Sequence, residues 1–163
     1  MSSISSIGDI ARVHAANNAD KVALIYQERQ WTYGQLDKES NRVANALLAA
    51  GVNPQDRVVH LDKNGPEYFT YLIGASKVNA VSMSVNWRLA APEMEYVLNH
   101  AEAKVLLIGE EFLGHFEQMN VESVTTVVVV GDGGQYVSYD TWIAGSEETC
   151  LLYTSPSPRD NSG

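Results

Sequence analysis

The sequence predicts an α/β fold, a partial doubly wound parallel sheet with flanking helices. Three observations point there. From Arg57 to Val130, short strand-like segments alternate with segments of helical spacing, the pattern of right-handed βαβ units. At 163 residues the chain is long enough for one domain with its own core. Hydrophobic residues make up 45% and charged residues 19%, the balance of a globular chain rather than a disordered one.

The elements follow in chain order. Ile7, Ile10, Ala11 and His14 have helical spacing and predict a short amphipathic helix over Ile7–His14. Val22–Tyr26 reads as a strand, and Gln27–Gln30 turns the chain so that Trp31–Tyr33 returns as a hairpin arm. Thr32-Tyr33-Gly34-Gln35 fits a capping box, in which the Thr32 hydroxyl and the Gln35 amide satisfy free backbone N–H groups. The helix it opens carries Leu36, Ser40, Val43 and Leu47 on one face, backed by Ala44 and Leu48, and stops at Gly51. Arg57–Leu61 is a strand. Gly65-Pro66-Glu67 starts a helix, with proline at the first helical position, whose expected inner face is Phe69, Leu72, Ile73 and Ser76. Ala80–Val85 is a second strand, and Pro92 opens a helix with Met94, Val97 and Leu98 facing in. Lys104–Ile108 is a third strand, Glu111–Met119 a helix and Thr125–Val130 a fourth strand. Gly131–Gly134 is a turn, and Tyr136–Ala144 has room for a short strand and helix.

Charge and composition exclude several partners. The formal net charge is −9, from 11 Lys+Arg against 20 Asp+Glu. Nucleic acid or an anionic membrane surface would repel such a chain, so neither is expected to bind. Met1–Ser6 has no basic region followed by an apolar one, which argues against a secretory signal. No apolar run approaches the length of a membrane span, so no integral membrane segment is expected. Cys150 is the only cysteine and no internal disulfide can form. A cytoplasmic location is the expectation.

Residue types that carry chemistry are present without the spacing that chemistry needs. His14, His60, His100 and His115 are scattered, with no ligand or triad arrangement, and read as surface or structural histidines. Glu110-Glu111 and Glu147-Glu148 read as solvated ends, because adjacent residues on a helix diverge. Val130-Gly131-Asp132-Gly133-Gly134 has Tyr136 at the third glycine position of a dinucleotide fingerprint, so a plain turn is preferred. Trp87 and Arg88 follow a strand end, the edge where open parallel sheets bind ligands, although packing and a surface ion pair are the preferred reading. Tyr68 and Tyr71 are expected to complete the helix packing.

Trp31–Leu36 with Asn41-Arg42-Val43-Ala44 and Gly51-Val52, then Asp56-Arg57-Val58-Val59, resemble the adenylate-forming superfamily of acyl-CoA synthetases, luciferases and peptide-synthetase adenylation domains. Asn64-Gly65-Pro66-Glu67, Ser76–Val81 and Asn86-Trp87-Arg88-Leu89 followed by Glu93, Glu95 and Tyr96 extend the resemblance. Order and spacing over Ala19–Ile108 carry it, and Asn86-x-Arg-Leu is more similar to an acyl-CoA synthetase than to an amino-acid activator. Asn79 and Ser84 depart from the usual glycine and proline.

The resemblance implies an enzyme that joins a carboxylic acid to CoA through an acyl-adenylate, using ATP, Mg²⁺ and CoA and acting on fatty or related organic acids. It also implies that the phosphate loop, the Thr-Glu pair, the ribose-binding Asp and the C-terminal Lys lie downstream. No catalytic, cofactor-binding or metal-binding residue is therefore assigned. Leu151–Ser155 resembles the opening of that phosphate loop, but Pro156 and Pro158 remove donors and fix φ where glycine is needed. Cys150–Asp160 instead resembles a translated sequencing-library adapter. The expected division is a truncated AMP-dependent synthetase/ligase region at 1–149 and a non-biological tail at 150–163, with the piece itself inactive and free of bound cofactor. The competing reading from the residues is a small, complete, non-catalytic α/β binding module; a luciferase-like or amino-acid-adenylating relative is the alternative within the family.

Overall fold

A computed structural model describes residues 3–149. The readings made for Cys150–Gly163 lie outside the described residues. The chain runs α1 (Ile7–Asn18), β1 (Val22–Tyr26), β2 (Arg29–Thr32), α2 (Tyr33–Ala49), β3 (Arg57–Leu61) and α3 (Pro66–Lys77). It continues with β4 (Val81–Ser84), α4 (Ala91–Ala101), β5 (Val105–Gly109) and a 3₁₀ turn over Glu110–Phe112. The last elements are α5 (Leu113–Phe116), β6 (Thr126–Val130), β7 (Val137–Ser138) and α6 (Tyr139–Ala144).

β1 and β2 form an antiparallel hairpin, and the other strands form a five-stranded sheet in the order β4-β3-β5-β6-β7. Every pairing in that sheet is parallel, with Val59 opposite both Met83 and Leu106. The central strands β3 and β5 are buried on both sides, so their side chains divide between two cores. On one face Val58, Val105, Leu107 and Val128 meet Val43 and Leu47 of α2, Tyr71 and Ala75 of α3, and Tyr139 of α6. On the other, Val59, Leu61, Leu106, Ile108 and Val129 meet Met94 and Leu98 of α4 and Phe112. The predicted doubly wound sheet with helices on both faces is what the chain forms.

The caps read from the sequence are present. Gln35 N–H donates to Thr32 Oγ1 at 3.1 Å and Thr32 N–H to Gln35 Oε1 at 2.8 Å. Gly51 closes the α2 turn at φ 85°, where a Cβ is disfavoured. Asn79 holds φ 61°, a left-handed conformation that asparagine tolerates almost as glycine does.

Two helix faces differ from expectation. In α1 the buried residues are Gly8, Ala11 and Val13, while Ile7 and Ile10 are exposed. In α3 Tyr71, Ile73, Gly74 and Ala75 are buried and Phe69 is exposed. The reason is close approach. A Cβ on Gly74 would lie 2.6 Å from Val43 Cγ1 and 2.9 Å from the Ser40 carbonyl, so α2 and α3 meet through small residues. The predicted Glu111–Met119 helix is only a 3₁₀ turn and the four residues of α5, with the flexible Gly114 inside it.

Candidate functional site

Parallel strands place all their carboxyl ends on one edge. The chain leaves β3 for β4 on one side, then crosses by α4 to β5 on the other, so the winding reverses between β3 and β5. That edge is the usual ligand position in open α/β sheets. The residues delivered to it are Asp62 and Lys63 after β3, Trp87 and Arg88 after β4, and Glu110 and Glu111 after β5.

Trp87 is the centre of this edge. Lys63 Nζ lies 5.0 Å and Arg88 Cζ 4.5 Å from its ring centroid, and Phe112 packs beside it at 5.9 Å. Lys63 also pairs with Glu111 at 3.2 Å. Asp62 sits against Gly109 so closely that a Cβ there would strike its carboxylate. Burial, aided by Glu111, raises the Asp62 pKa, while the Lys63 backbone N–H and charge oppose the rise. Glu110 Oε1 accepts the Asp132 N–H at 3.0 Å beside Gly131, whose φ of 117° and crowded position fit glycine alone.

Arg88 thus reaches the Trp87 ring instead of the surface ion pair expected for it; among the described residues it has no carboxylate partner. The acidic pairs are also not simply solvated. Glu110 secures a turn, Glu111 pairs with Lys63, and Glu148 Oε2 pairs with Arg42 at 2.8 Å. Gly131–Gly134 is a turn with no helix opening from it, as expected. Tyr71 is fully buried, and Tyr68 packs edge-on against His60 at 5.2 Å. His60 is buried, which lowers its pKa to about 4 and keeps the ring neutral. His14 and His100 lie against Tyr33 and Tyr96, and His115 against Phe112; His60 is a core residue and His100 a surface one.

The edge offers two cations, three carboxylates and an aromatic plane, with Lys63 already paired to Glu111. It offers no nucleophile–base pair. No group of three His, Cys, Asp or Glu side chains that could hold a metal ion occurs among the described residues. Sequence reasoning singled out Trp87 and Arg88 but missed Lys63. Its signal was the position of Asp62-Lys63-Asn64 just past a strand, which reads equally well as an ordinary turn.

The chain is a doubly wound α/β domain whose carboxyl edge gathers two cations, three carboxylates and an aromatic ring. The chain is a member of the AMP-binding enzyme family, whose model matches residues 11–160. It is 37% identical over 147 residues to the fatty acid–[acyl-carrier-protein] ligase ScoC of Streptomyces coeruleorubidus, covering 90% of this chain and 26% of that protein. It is 36% identical over 125 residues to the 3-hydroxybenzoate–CoA/4-hydroxybenzoate–CoA ligase of Thauera aromatica, covering 76% of this chain and 24% of that one. Among solved structures it resembles the anthranilate CoA ligase AuaEII in complex with anthranoyl-AMP, with a TM-score of 0.87 and 31% identity over 95% of this chain and 31% of that one. The chain therefore spans about a quarter to a third of these proteins. Among the described residues no helix is long and apolar enough to cross a membrane.

Proposed function

We propose that the chain is the N-terminal part of an ATP-dependent carboxylate–CoA ligase that forms acyl-CoA through an acyl-adenylate. The family match over residues 11–160, with relatives named as acid–thiol ligases, carries this reading. The acid is a fatty or related organic acid, in line with the fatty-acid and hydroxybenzoate relatives. CoA is the acceptor in the second of these and an acyl carrier protein in the first. Mg²⁺ would be held by residues outside the described part, and the enzyme would work in the cytoplasm. The division at residue 149, with a non-biological tail after it, is part of the same proposal.

Within the described residues, the contribution would be binding rather than bond-making. Lys63 and Arg88 would attract a phosphate of CoA or ATP to the carboxyl edge, with Trp87 offering a planar surface. Acid-dependent ATP–pyrophosphate exchange tests the ligase reading. A longer protein from the same gene should show it and purified residues 1–149 should not. Exchange by the short piece, or none by the longer protein with any fatty or aromatic acid, refutes the reading. In the longer protein, Lys63→Ala with Arg88→Ala should raise the KM of the phosphate-bearing substrate about tenfold, the value of one or two charged contacts.

A further inference from the structure

We propose that Asn41, Arg42 and Asn45 form a positioning clamp that holds the segment Ser146–Thr149 by its main-chain carbonyls. These side chains lie on α2 at a spacing that puts them on neighbouring turns. Asn41 Nδ2 donates to the Glu148 carbonyl at 3.0 Å and Arg42 Nη1 to the Ser146 carbonyl at 2.9 Å. Asn45 Nδ2 reaches the Glu147 carbonyl at 2.8 Å and that of Thr149 at 3.5 Å. Four consecutive carbonyls are taken by one helix. Contacts to carbonyls fix the path of a segment while leaving its side chains free to vary. Among the described residues only Glu148 adds a side-chain grip, to Arg42 Nη2 at 2.8 Å and Lys38 Nζ at 3.7 Å.

The clamp is itself anchored. Asn41 Oδ1 accepts from Lys77 Nζ at 2.6 Å, and Lys77 pairs with Asp37 at 2.7 Å. The neighbouring Ser76 Oγ accepts the Gly8 N–H at 2.9 Å, so α1, α2 and α3 are all tied to the same point. Gly145-Ser146-Glu147-Glu148-Thr149 contains no apolar anchor of its own, and the clamp supplies the order it lacks. The catalytic consequence rests on the ligase reading. In the longer protein the clamp would set the start of the chain that follows without touching substrate.

Glutamyl endopeptidase cuts after Glu147 or Glu148 when this segment opens. In the 163-residue chain, Arg42→Ala with Asn45→Ala should speed those cuts about tenfold, as expected for several lost hydrogen bonds. Cutting after the exposed Glu28 and the melting temperature should not change. Arg42→Lys keeps the charge facing Glu148 but loses the second donor, and should fall between. Asn41 is left intact because it also holds Lys77. Equal cutting in the double variant and the unsubstituted chain overturns the clamp, and so does faster cutting that spreads to Glu28. In the longer protein the double variant should lower kcat for pyrophosphate exchange about tenfold at unchanged KM for the acid. No exchange without the substitutions refutes the ligase reading and leaves the clamp to the cleavage result; unchanged kcat refutes the positioning role.

Discussion

His60 shows how burial alone can couple a single side chain to solution conditions. It lies in β3 beneath Tyr68, and the loss of hydration lowers its pKa from 6.5 to about 4. Because the folded pKa is depressed, the folded chain binds fewer protons than the unfolded chain between those values. The stability from keeping the ring neutral is complete above pH 6.5 and is lost as pH falls toward 4. The full loss is about 3 kcal/mol. Asp62 and Glu67 act in the opposite sense, since burial raises both carboxyl pKa values. Urea unfolding at pH 7 and pH 5 should show the fall, and His60→Phe should flatten it. An equal slope in that variant would show that another group is responsible. Nothing in the sequence marked His60 for this, because burial of one strand position depends on the sheet's second layer.

At the scale of elements, what was legible followed from local chemistry. The capping box at Thr32, the stop at Gly51 and the strands Arg57–Leu61 and Thr126–Val130 each rest on residues close in sequence. On α1 and α3 the expectation holds for Ala11 and Ile73 and fails for the larger side chains, because size is not the sign of burial there. There the contact is made by Gly8, Ala11, Gly74 and Ala75, and the large Ile7, Ile10 and Phe69 point outward. Asn41 and Arg42 were noticed as part of a resemblance, but their partners lie about a hundred residues away and no local pattern announces them. The carboxyl edge was half legible, through Trp87 and Arg88. The α2–α3 contact gives a direct test. Gly74→Ala would raise intrinsic helix propensity, yet its Cβ meets Val43 and the Ser40 carbonyl. Overpacking should win, lowering stability by about 1–3 kcal/mol in urea unfolding. A neutral or stabilising result would mean that the two helices are not in such close contact.

For the whole molecule, sheet edges and net charge pull in opposite directions. Among the described residues β4 and β7 each have a neighbour on one side only, and the hairpin adds the exposed Ile25 at 64% accessibility. Open strand edges and exposed apolar side chains favour association between copies. A formal charge of −9 at pH 7 opposes it by mutual repulsion. That repulsion fades as pH approaches the isoelectric point of about 4.8, in the same interval where His60 withdraws its stability. Heating at pH 5 should therefore produce light scattering at a lower temperature than heating at pH 7. Salt at pH 7 should move the onset part of the way, because it screens charge without protonating His60. His60→Phe should retain the charge-driven shift and lose the remainder. If salt alone reproduces the whole shift at pH 7, repulsion governs association and the buried histidine plays no part in it.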